Sequence, residues 1–255
     1  MHNEPMFQYP IQLTANDYFQ NGRMKPVAYS NCIQSVAEQH LNTLCLDSLF
    51  MSSQNLAWVL VGMTIDVRAP FFEGSSLTGT TWHTETKGPY FRREFTFGDE
   101  TGALVFCGAT FSVVMDLSTR HVLKNYTLPN TLGSGNHVFA LENVRPIFRS
   151  KANYTFCHRR PVYSSYIDAL GHVNNTRYCE FAFDALSPED VCRPLRRIAL
   201  NFTGELRLGE TFSVHTGLLD GTRYVRGVRD SDFKKSFDAA FTFGDEEGMS
   251  RSDVL

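Results

Sequence analysis

Apolar and polar residues alternate along two long stretches of the chain with the period of a half-buried β-strand. In the first half this pattern predicts strands near residues 56–68, 76–86, 90–97 and 104–116. In the second half it predicts strands near 195–205, 210–219, 222–230 and 235–244. A shorter strand is expected ahead of each series, near 7–14 and 159–167. Each series reads as an antiparallel run joined by short turns.

One amphipathic helix is predicted before each series of strands. The first begins at Pro26 and has apolar residues at helical spacing. The second begins near Asn174 or Asn175, either of which can cap it, and ends before Pro188. Because the apolar stripe of a helix needs a sheet to cover it, we expect each half to be a curved antiparallel sheet wrapped around one helix, in an α+β fold.

The two halves also resemble each other weakly in sequence. Residues 63–74 can be laid over residues 198–209 at an offset of 135, and residues 109–113 over 239–243 at an offset of 130. Between them lies NYTLPNTLGSGNHVF, which is rich in Asn, Gly and Pro. We therefore predict an N-terminal unit over residues 1–125, a linker over 126–155 and a C-terminal unit over 156–255.

Composition narrows the class of protein. The 255 residues are 42% hydrophobic and carry a formal net charge of −3, which argues against general nucleic-acid binding. The six cysteines form no CxxC pair, and they are interpreted as reduced thiols of a cytoplasmic protein. The N-terminus lacks the pattern of a signal peptide, and the most apolar stretch, near 56–63, is too short to span a bilayer. No membrane insertion is expected.

The segment YSSYIDALGHVNNTRYCEF, residues 163–181, combines reactive side chains with the start of a helix. Asp168 precedes His172 by four residues, and Asn174 and Asn175 follow directly. The free N–H groups of a helix N-terminus can bind a developing oxyanion, while a carboxylate beside them can activate water or attack a carbonyl. Taken singly, an Asp in a turn or an Asn at a cap is ordinary; together they predict acyl transfer to water.

Two sets of motifs resemble one family. DALGHVNNTRYCEF resembles the active-site segment of hotdog-fold thioesterases, with the pattern D-x-x-G-H-V-N-N-x-x-Y. The first half resembles the acyl-[acyl-carrier-protein] thioesterases, whose shared features match Trp58, Thr81, Trp82, Arg92, Arg93 and the segments 99–102 and 116–120. The resemblance covers most of residues 7–245. It implies two tandem hotdog units and an enzyme of fatty acid biosynthesis that releases a free fatty acid from acyl-acyl carrier protein.

The resemblance also implies catalytic residues. Asp168 and His172 match the catalytic Asp and His of the family, and Glu205 matches a Glu on the next strand, in FTGEL. The Cys that follows this Glu in the family is Leu206 here, which excludes a Cys nucleophile at this place. No metal or redox cofactor is implied, and the histidines lack a metal-ligand spacing such as HExxH.

One position departs from the pattern. Many carrier-protein thioesterases have Asn two residues after the Asp, where this chain has Leu170. Leucine cannot form a hydrogen bond to a thioester or to water. Either Asn174 or a backbone group takes over that role, or the substrate class has shifted, because the local pattern resembles single-hotdog acyl-CoA thioesterases.

The first half lacks the acid–histidine corner; its corresponding segment is NDYFQNGRMKP. By the resemblance, this unit binds the acyl chain. Residues in its strands that could line a tunnel, or equally fill the core, are Trp58, Met63, Trp82 and Phe95.

Charge is distributed unevenly along the chain. Residues 145–235 contain 15 Lys and Arg and 10 Asp and Glu, so this part is net basic while the whole chain is acidic. A basic surface would steer the acidic acyl carrier protein, although the phosphates of CoA would favour the same surface. The candidate carrier-binding residues are Arg159, Arg160, Arg193, Arg196 and Arg197.

Two other functions remain open at the level of sequence. The first is an acyl-CoA thioesterase, which Leu170 favours. The second is a non-catalytic acyl-chain or acyl-carrier binding protein, against which Asp168, His172 and Glu205 argue. The sequence also leaves open a homodimer.

Overall fold

The structure of the chain, a computed structural model, describes residues 7–124, 126–127 and 138–244. The chain divides into two compact units, Met1–Phe148 and Arg149–Leu255. The boundary falls inside the segment that the sequence predicts as a linker, 126–155. Residues 125 and 128–137 of that segment lie outside the described residues.

Among its described residues, the N-terminal unit has a five-stranded antiparallel sheet and two α-helices. Its strands are β1 Phe7–Ile11, β2 Leu56–Val67, β3 Leu77–Lys87, β4 Tyr90–Gly98 and β5 Leu104–Asp116. Its helices are α1 Pro26–Thr43 and α2 Ser48–Ser53. The strands lie in the order β1-β3-β4-β5-β2.

Helix α1 approaches the sheet of this unit closely. A Cβ atom on Gly108 of β5 would lie 2.6 Å from the Cδ1 atom of Ile33, so the helix can lie this near only because the strand has a glycine there. Ile33 and Val36 are fully buried on this face of α1. The apolar stripe read from the sequence is therefore the face that packs on the sheet.

The C-terminal unit repeats the same plan. Its strands are β6 Thr155–Pro161, β7 Leu195–Phe202, β8 Thr211–Leu219, β9 Thr222–Arg229 and β10 Lys235–Phe243. Its helices are α3 Asn175–Phe183 and α4 Pro188–Cys192. The strand order is β6-β8-β9-β10-β7, which is the order of the first unit when the strands of each unit are counted from its own start.

Aromatic residues of α3 pack on the second sheet. Tyr178 lies 5.3 Å from the ring of Phe237, measured between ring centroids, and Phe181 lies 5.2 Å from Phe212. Both pairs are tilted ring contacts, and together they bury a large apolar area between the helix and the sheet. Because these rings fix α3 on the sheet, they also fix the segment that leads into the helix.

The α+β class and the eight main strands are confirmed, with boundaries within three residues of the prediction. Three expectations were wrong in detail. The strand expected near 159–167 is Thr155–Pro161, because residues 164–166 form a turn of 3-10 helix. Helices α2 and α4 were not predicted; Asp47 caps the first and Ser187 the second. The second helix ends at Phe183, which agrees with the expected end before Pro188.

The third difference concerns the end of β7, which lies at Phe202 and not near 205. The N–H groups of Thr203 and Gly204 both donate to the carbonyl oxygen of Ser236, at 2.9 and 3.0 Å. This shared acceptor breaks the regular alternation of the ladder, so the strand cannot continue. Glu205 consequently lies in the connection between β7 and β8 and not on a strand.

The described end of the predicted linker is bound to the N-terminal unit. The indole N–H of Trp82 donates to the carbonyl oxygen of Val138 at 2.8 Å, and the carboxylate of Glu94 accepts from the N–H of Ala140 at 3.0 Å. The indole N–H of Trp58 donates to Leu46 at 3.1 Å. Both tryptophans therefore hold the unit together by specific hydrogen bonds. In the ranges that the structure describes, no helix is long and apolar enough to cross a membrane.

Candidate active site

The corner before α3 is a tight backbone hairpin. Ile167 and Val173 form an isolated antiparallel bridge, and inside it the N–H of Asp168 donates to the carbonyl oxygen of His172 at 3.0 Å. Gly171 has φ = +83°, a conformation that favours glycine, and its N–H donates to the carbonyl oxygen of Asp168 at 3.0 Å. The hairpin therefore sets Asp168 and His172 opposite each other.

The side chains of these two residues face each other at the surface of the corner. The Nδ1 atom of His172 lies 3.8 Å from the Oδ1 atom of Asp168, and each side chain is about one quarter exposed. This distance is longer than a direct hydrogen bond. The N–H of Leu170 donates to Oδ1 of Asp168 at 2.9 Å, while the side chain of Leu170 is 64% exposed. Leu170 thus contributes its backbone and not its side chain.

Asn174 and Asn175 have different roles at the start of α3. Asn174 is the N-cap, and its Oδ1 atom accepts from the N–H of Thr176 at 2.9 Å and from its hydroxyl at 2.8 Å. Asn175 is the first helical residue, and such a residue has no acceptor inside its helix. Within residues 138–244 its N–H finds no acceptor elsewhere either. The open donor at this helix end is therefore the N–H of Asn175.

Glu205 lies in a connection that we call the glutamate loop, residues 203–210. The N–H of Val173 donates to the carbonyl oxygen of Leu206 at 2.8 Å, which joins the loop to the corner directly after His172. The carboxylate of Glu205 is about one third exposed, and its Oε2 atom lies 3.2 Å from the Nη2 atom of Arg207. The corner and the glutamate loop thus form one hydrogen-bonded surface.

Tyr178 connects α3 to the glutamate loop from the inside of the unit. Its hydroxyl oxygen accepts from the N–H of Leu206 at 3.1 Å and donates to the carbonyl oxygen of Gly204 at 3.5 Å. Burial raises the pKa of Tyr178, and the negative charges of Glu205, Glu210 and Asp168 raise the pKa further.

The sequence did not single out Tyr178, Arg207 or Glu210. Tyr178 could have been found, because it is the last letter of the pattern D-x-x-G-H-V-N-N-x-x-Y. Arg207 and Glu210 carry no such signal, since their contacts depend on how the glutamate loop folds: Glu210 accepts from the N–H of Arg207 at 2.7 Å.

The N-terminal unit contains the same backbone corner. Tyr18 and Met24 form an isolated bridge, and the N–H of Phe19 donates to the carbonyl oxygen of Arg23 at 2.8 Å. Gly22 has φ = +77° and donates to Phe19 at 2.9 Å. Phe19 and Arg23 therefore occupy the places that Asp168 and His172 have in the other unit.

The equivalence extends to the loop. The N–H of Met24 donates to the carbonyl oxygen of Phe71 at 3.3 Å, as Val173 donates to Leu206. This correspondence puts Pro70 in the place of Glu205. The corner and its loop thus occur in both units. Among these equivalent positions, only those of the C-terminal unit carry two carboxylates and an imidazole, namely Asp168, Glu205 and His172.

The five candidate carrier-binding arginines differ in their surroundings. Arg159 lies 2.9 Å from Asp230, and Arg160 lies 2.8 Å from Asp184. Arg193 contacts Asp190 at 3.7 Å. These three cations are each balanced by a carboxylate, which weakens their attraction for an acidic partner. Arg196 and Arg197 are exposed on β7.

Comparison with known proteins identifies the fold. An acyl-ACP thioesterase from Bacteroides thetaiotaomicron has a TM-score of 0.80 and 18% sequence identity over 94% of this chain and 98% of its own. The 12:0-ACP thioesterase from Umbellularia californica has a TM-score of 0.75 and 16% identity over 94% of this chain and 97% of its own. A comparison with curated protein sequences gave no match. At these identities the structures establish a shared fold.

Family models identify the class of protein, a thioester hydrolase. The acyl-ACP thioesterase N-terminal domain matches residues 4–126, and the acyl-ACP thioesterase C-terminal domain matches residues 150–246. The chain therefore belongs to the acyl-ACP thioesterase family, and the resemblance noted in the sequence is confirmed. Its reaction is the hydrolysis of the thioester of acyl-acyl carrier protein.

The geometry of Asn174 generates a prediction. Replacing it with Ala removes the capping oxygen and should lower the free energy of unfolding by about 1 kcal/mol, whereas Asn174→Ser keeps a capping oxygen and most of that stability. We expect Asn174→Ser to hydrolyse acyl-acyl carrier protein at close to the unsubstituted rate. Thermal unfolding and steady-state rates check both statements. If Asn174→Ser is stable but hydrolyses acyl-acyl carrier protein much more slowly than the unsubstituted protein, the side-chain amide of Asn174 has a catalytic role.

Proposed function

We propose that the chain is a pair of tandem hotdog units and that hydrolysis takes place in the C-terminal unit, at the corner and the glutamate loop. The observation that carries this proposal is the repeat of the backbone corner. Both units have the same hydrogen-bonded hairpin. The positions that hold Asp168, His172 and Glu205 in the C-terminal unit hold Phe19, Arg23 and Pro70 in the N-terminal unit. Since the backbone alone is common to both, the reactive side chains distinguish the catalytic unit.

Glu205 is the base in this proposal. Its carboxylate takes a proton from a water molecule as the oxygen of that water attacks the carbonyl carbon of the thioester. The guanidinium of Arg207 lies 3.2 Å from Oε2 of Glu205, and this contact holds the carboxylate in place. The partial exposure of Glu205 leaves room for the water.

The start of α3 stabilises the intermediate. As water adds, negative charge develops on the carbonyl oxygen, and the N–H of Asn175 is the open donor at the positive end of the helix dipole. Asn174 keeps that end of the helix in shape by capping it. The backbone N–H of Asn175 thus donates the hydrogen bond that the side chain of an asparagine at position 170 would have donated.

Asp168 and His172 complete the reaction. When the intermediate collapses, the bond between carbon and sulfur breaks, and the leaving thiolate takes up the proton that Glu205 accepted, relayed by His172. Asp168 lies 3.8 Å from Nδ1 of His172, and its negative charge stabilises the imidazolium during the relay. The products are the free fatty acid and the thiol of the carrier protein.

The N-terminal unit binds the acyl chain in this proposal. Its corner carries an aromatic ring and no carboxylate at the place of Asp168, and its helix α1 presents a fully buried apolar face to the sheet. A cytoplasmic reaction is supported by the cysteines, all six of which lie among the described residues and none of which forms a disulfide.

The roles of the two carboxylates are tested by neutral, isosteric substitutions. Asp168→Asn and Glu205→Gln should each lower kcat for acyl-acyl carrier protein by about a hundredfold or more, because each removes a charge that acts during proton transfer. Glu210→Gln is the matched control, because Glu210 lies in the same loop but its carboxylate binds backbone and arginine groups. Steady-state rates and binding of an acyl-carrier analogue are measured for all three.

Three results would contradict these proposals. A near-normal kcat for Asp168→Asn or Glu205→Gln removes that residue from the mechanism. Unsubstituted protein that binds acyl chains tightly without hydrolysing acyl-acyl carrier protein or acyl-CoA would indicate a binding protein, and preference for acyl-CoA would indicate the other carrier.

The carrier surface is tested by charge reversal. Arg196→Glu together with Arg197→Glu should raise KM for acyl-acyl carrier protein, because both side chains are exposed on β7 and their reversal makes this surface repel an acidic partner. Added salt should raise KM of the unsubstituted protein in the same direction, because it screens charges over about 8–10 Å. A KM that responds neither to salt nor to the double reversal would exclude electrostatic steering by this surface.

A further inference from the structure

We propose that Tyr178 is a positioning residue for Glu205, and that its hydroxyl sets where the carboxylate of Glu205 stands relative to the start of α3. This inference rests on the proposed function, in which Glu205 is the base. It concerns how the base is held, and it can fail while the base itself is correctly assigned.

The hydroxyl of Tyr178 bonds the backbone on both sides of Glu205. It accepts from the N–H of Leu206 at 3.1 Å and donates to the carbonyl oxygen of Gly204 at 3.5 Å. The two peptide groups that flank the side chain of Glu205 are thus tied to a single atom. A rotation of the Glu205 backbone would have to break at least one of these bonds.

The glutamate loop needs such support because no strand provides it. Ladder hydrogen bonds end at Phe202, and β8 begins at Thr211. Besides Tyr178, the backbone of Glu205–Leu206 is held by the guanidinium of Arg229, which donates to the carbonyl oxygen of Glu205 at 2.9 Å, and by the N–H of Val173. Tyr178 supplies the contact that comes from the helix.

The ring of Tyr178 is itself fixed. The residue is 3% exposed, and its ring lies 5.9 Å from that of Phe202 and 5.3 Å from that of Phe237, measured between centroids. Packing of this kind leaves a side chain in one rotamer. The hydroxyl therefore transmits the position of α3 to the glutamate loop.

The consequence is a fixed distance between the N–H of Asn175, the proposed donor, and the carboxylate of Glu205, the proposed base. Tyr178 is the fourth residue of α3, one turn after Asn175, whose N–H is the proposed donor to the oxyanion. One rigid helix thus places both the donor and, through Tyr178, the base. Preorganisation of this sort affects the rate of the chemical step more than the binding of substrate.

The protonation state of Tyr178 suits this role. Burial, with added repulsion from Glu205, Glu210 and Asp168, raises the pKa of the phenol. The hydroxyl therefore keeps its proton at neutral pH, and it can donate to Gly204 while it accepts from Leu206.

The N-terminal unit offers a matched control residue. Tyr29 is the fourth residue of α1, is 4% exposed and packs its ring 4.9 Å from that of Phe106. In the described part of the chain its hydroxyl makes no hydrogen bond to residues 69–71, the equivalents of residues 204–206 of the glutamate loop. Tyr29→Phe is thus the same chemical change at the equivalent helical position without the same contact.

The first measurement compares the two Tyr→Phe variants. Tyr178→Phe should lower kcat about tenfold while KM changes little, because it leaves the N–H of Leu206 without an acceptor and frees the loop. Tyr29→Phe should lower kcat much less than Tyr178→Phe does, because it removes no contact to the loop that carries Glu205. Hydrogen exchange provides an independent readout: the amide of Leu206 should exchange faster in Tyr178→Phe. Unchanged kcat in Tyr178→Phe, or unchanged exchange at Leu206, would overturn the inference.

The second measurement separates positioning from general support of the fold. If Tyr178 acts through Glu205, then Tyr178→Phe should cause no further loss of kcat in protein that already carries Glu205→Gln. An equal loss in both backgrounds would overturn the inference. Glu205→Gln alone with a near-normal kcat would overturn the proposed base instead, so the two failures are distinguishable.

Discussion

A single backbone hydrogen bond, from the N–H of Val173 to the carbonyl oxygen of Leu206 at 2.8 Å, joins the two parts of the proposed site. On one side of it stand Asp168 and His172, and on the other stands Glu205. A bond of this kind contributes only about 1 kcal/mol to stability. Its importance is geometric, because it is a direct backbone contact between the corner and the glutamate loop, to which Tyr178 adds a contact from α3.

The repeat of this bond in the N-terminal unit separates the contribution of the fold from that of the side chains. Met24 and Phe71 form the equivalent bond, and the hairpin before α1 closes as the hairpin before α3 does. The backbone plan thus creates a hydrogen-bonded corner at the start of a helix in each unit. Chemistry depends on the few side chains placed on that corner, which agrees with the general rule that function is carried by sites and not by folds.

Much of this arrangement could be predicted from the sequence because it is local. Alternation of apolar residues predicted the strands, and the pattern from Asp168 to Tyr178 predicted the corner and its helix. The end of β7 could not be predicted, since it depends on Ser236, a residue more than thirty positions away that accepts from both Thr203 and Gly204. The charged neighbours of the basic residues could not be predicted for the same reason, because the charge of Arg159 is balanced by Asp230, a residue distant in sequence.

The central claim is that Glu205 activates a water molecule that attacks the thioester directly. The most direct measurement is a single turnover in water labelled with heavy oxygen, with the protein in excess over acyl-acyl carrier protein. The account predicts that the label appears in the released fatty acid and that the carboxylates of Asp168 and Glu205 remain unlabelled. Label in either carboxylate, detected by mass spectrometry of the corresponding peptide, would indicate a covalent acyl-enzyme and contradict the account.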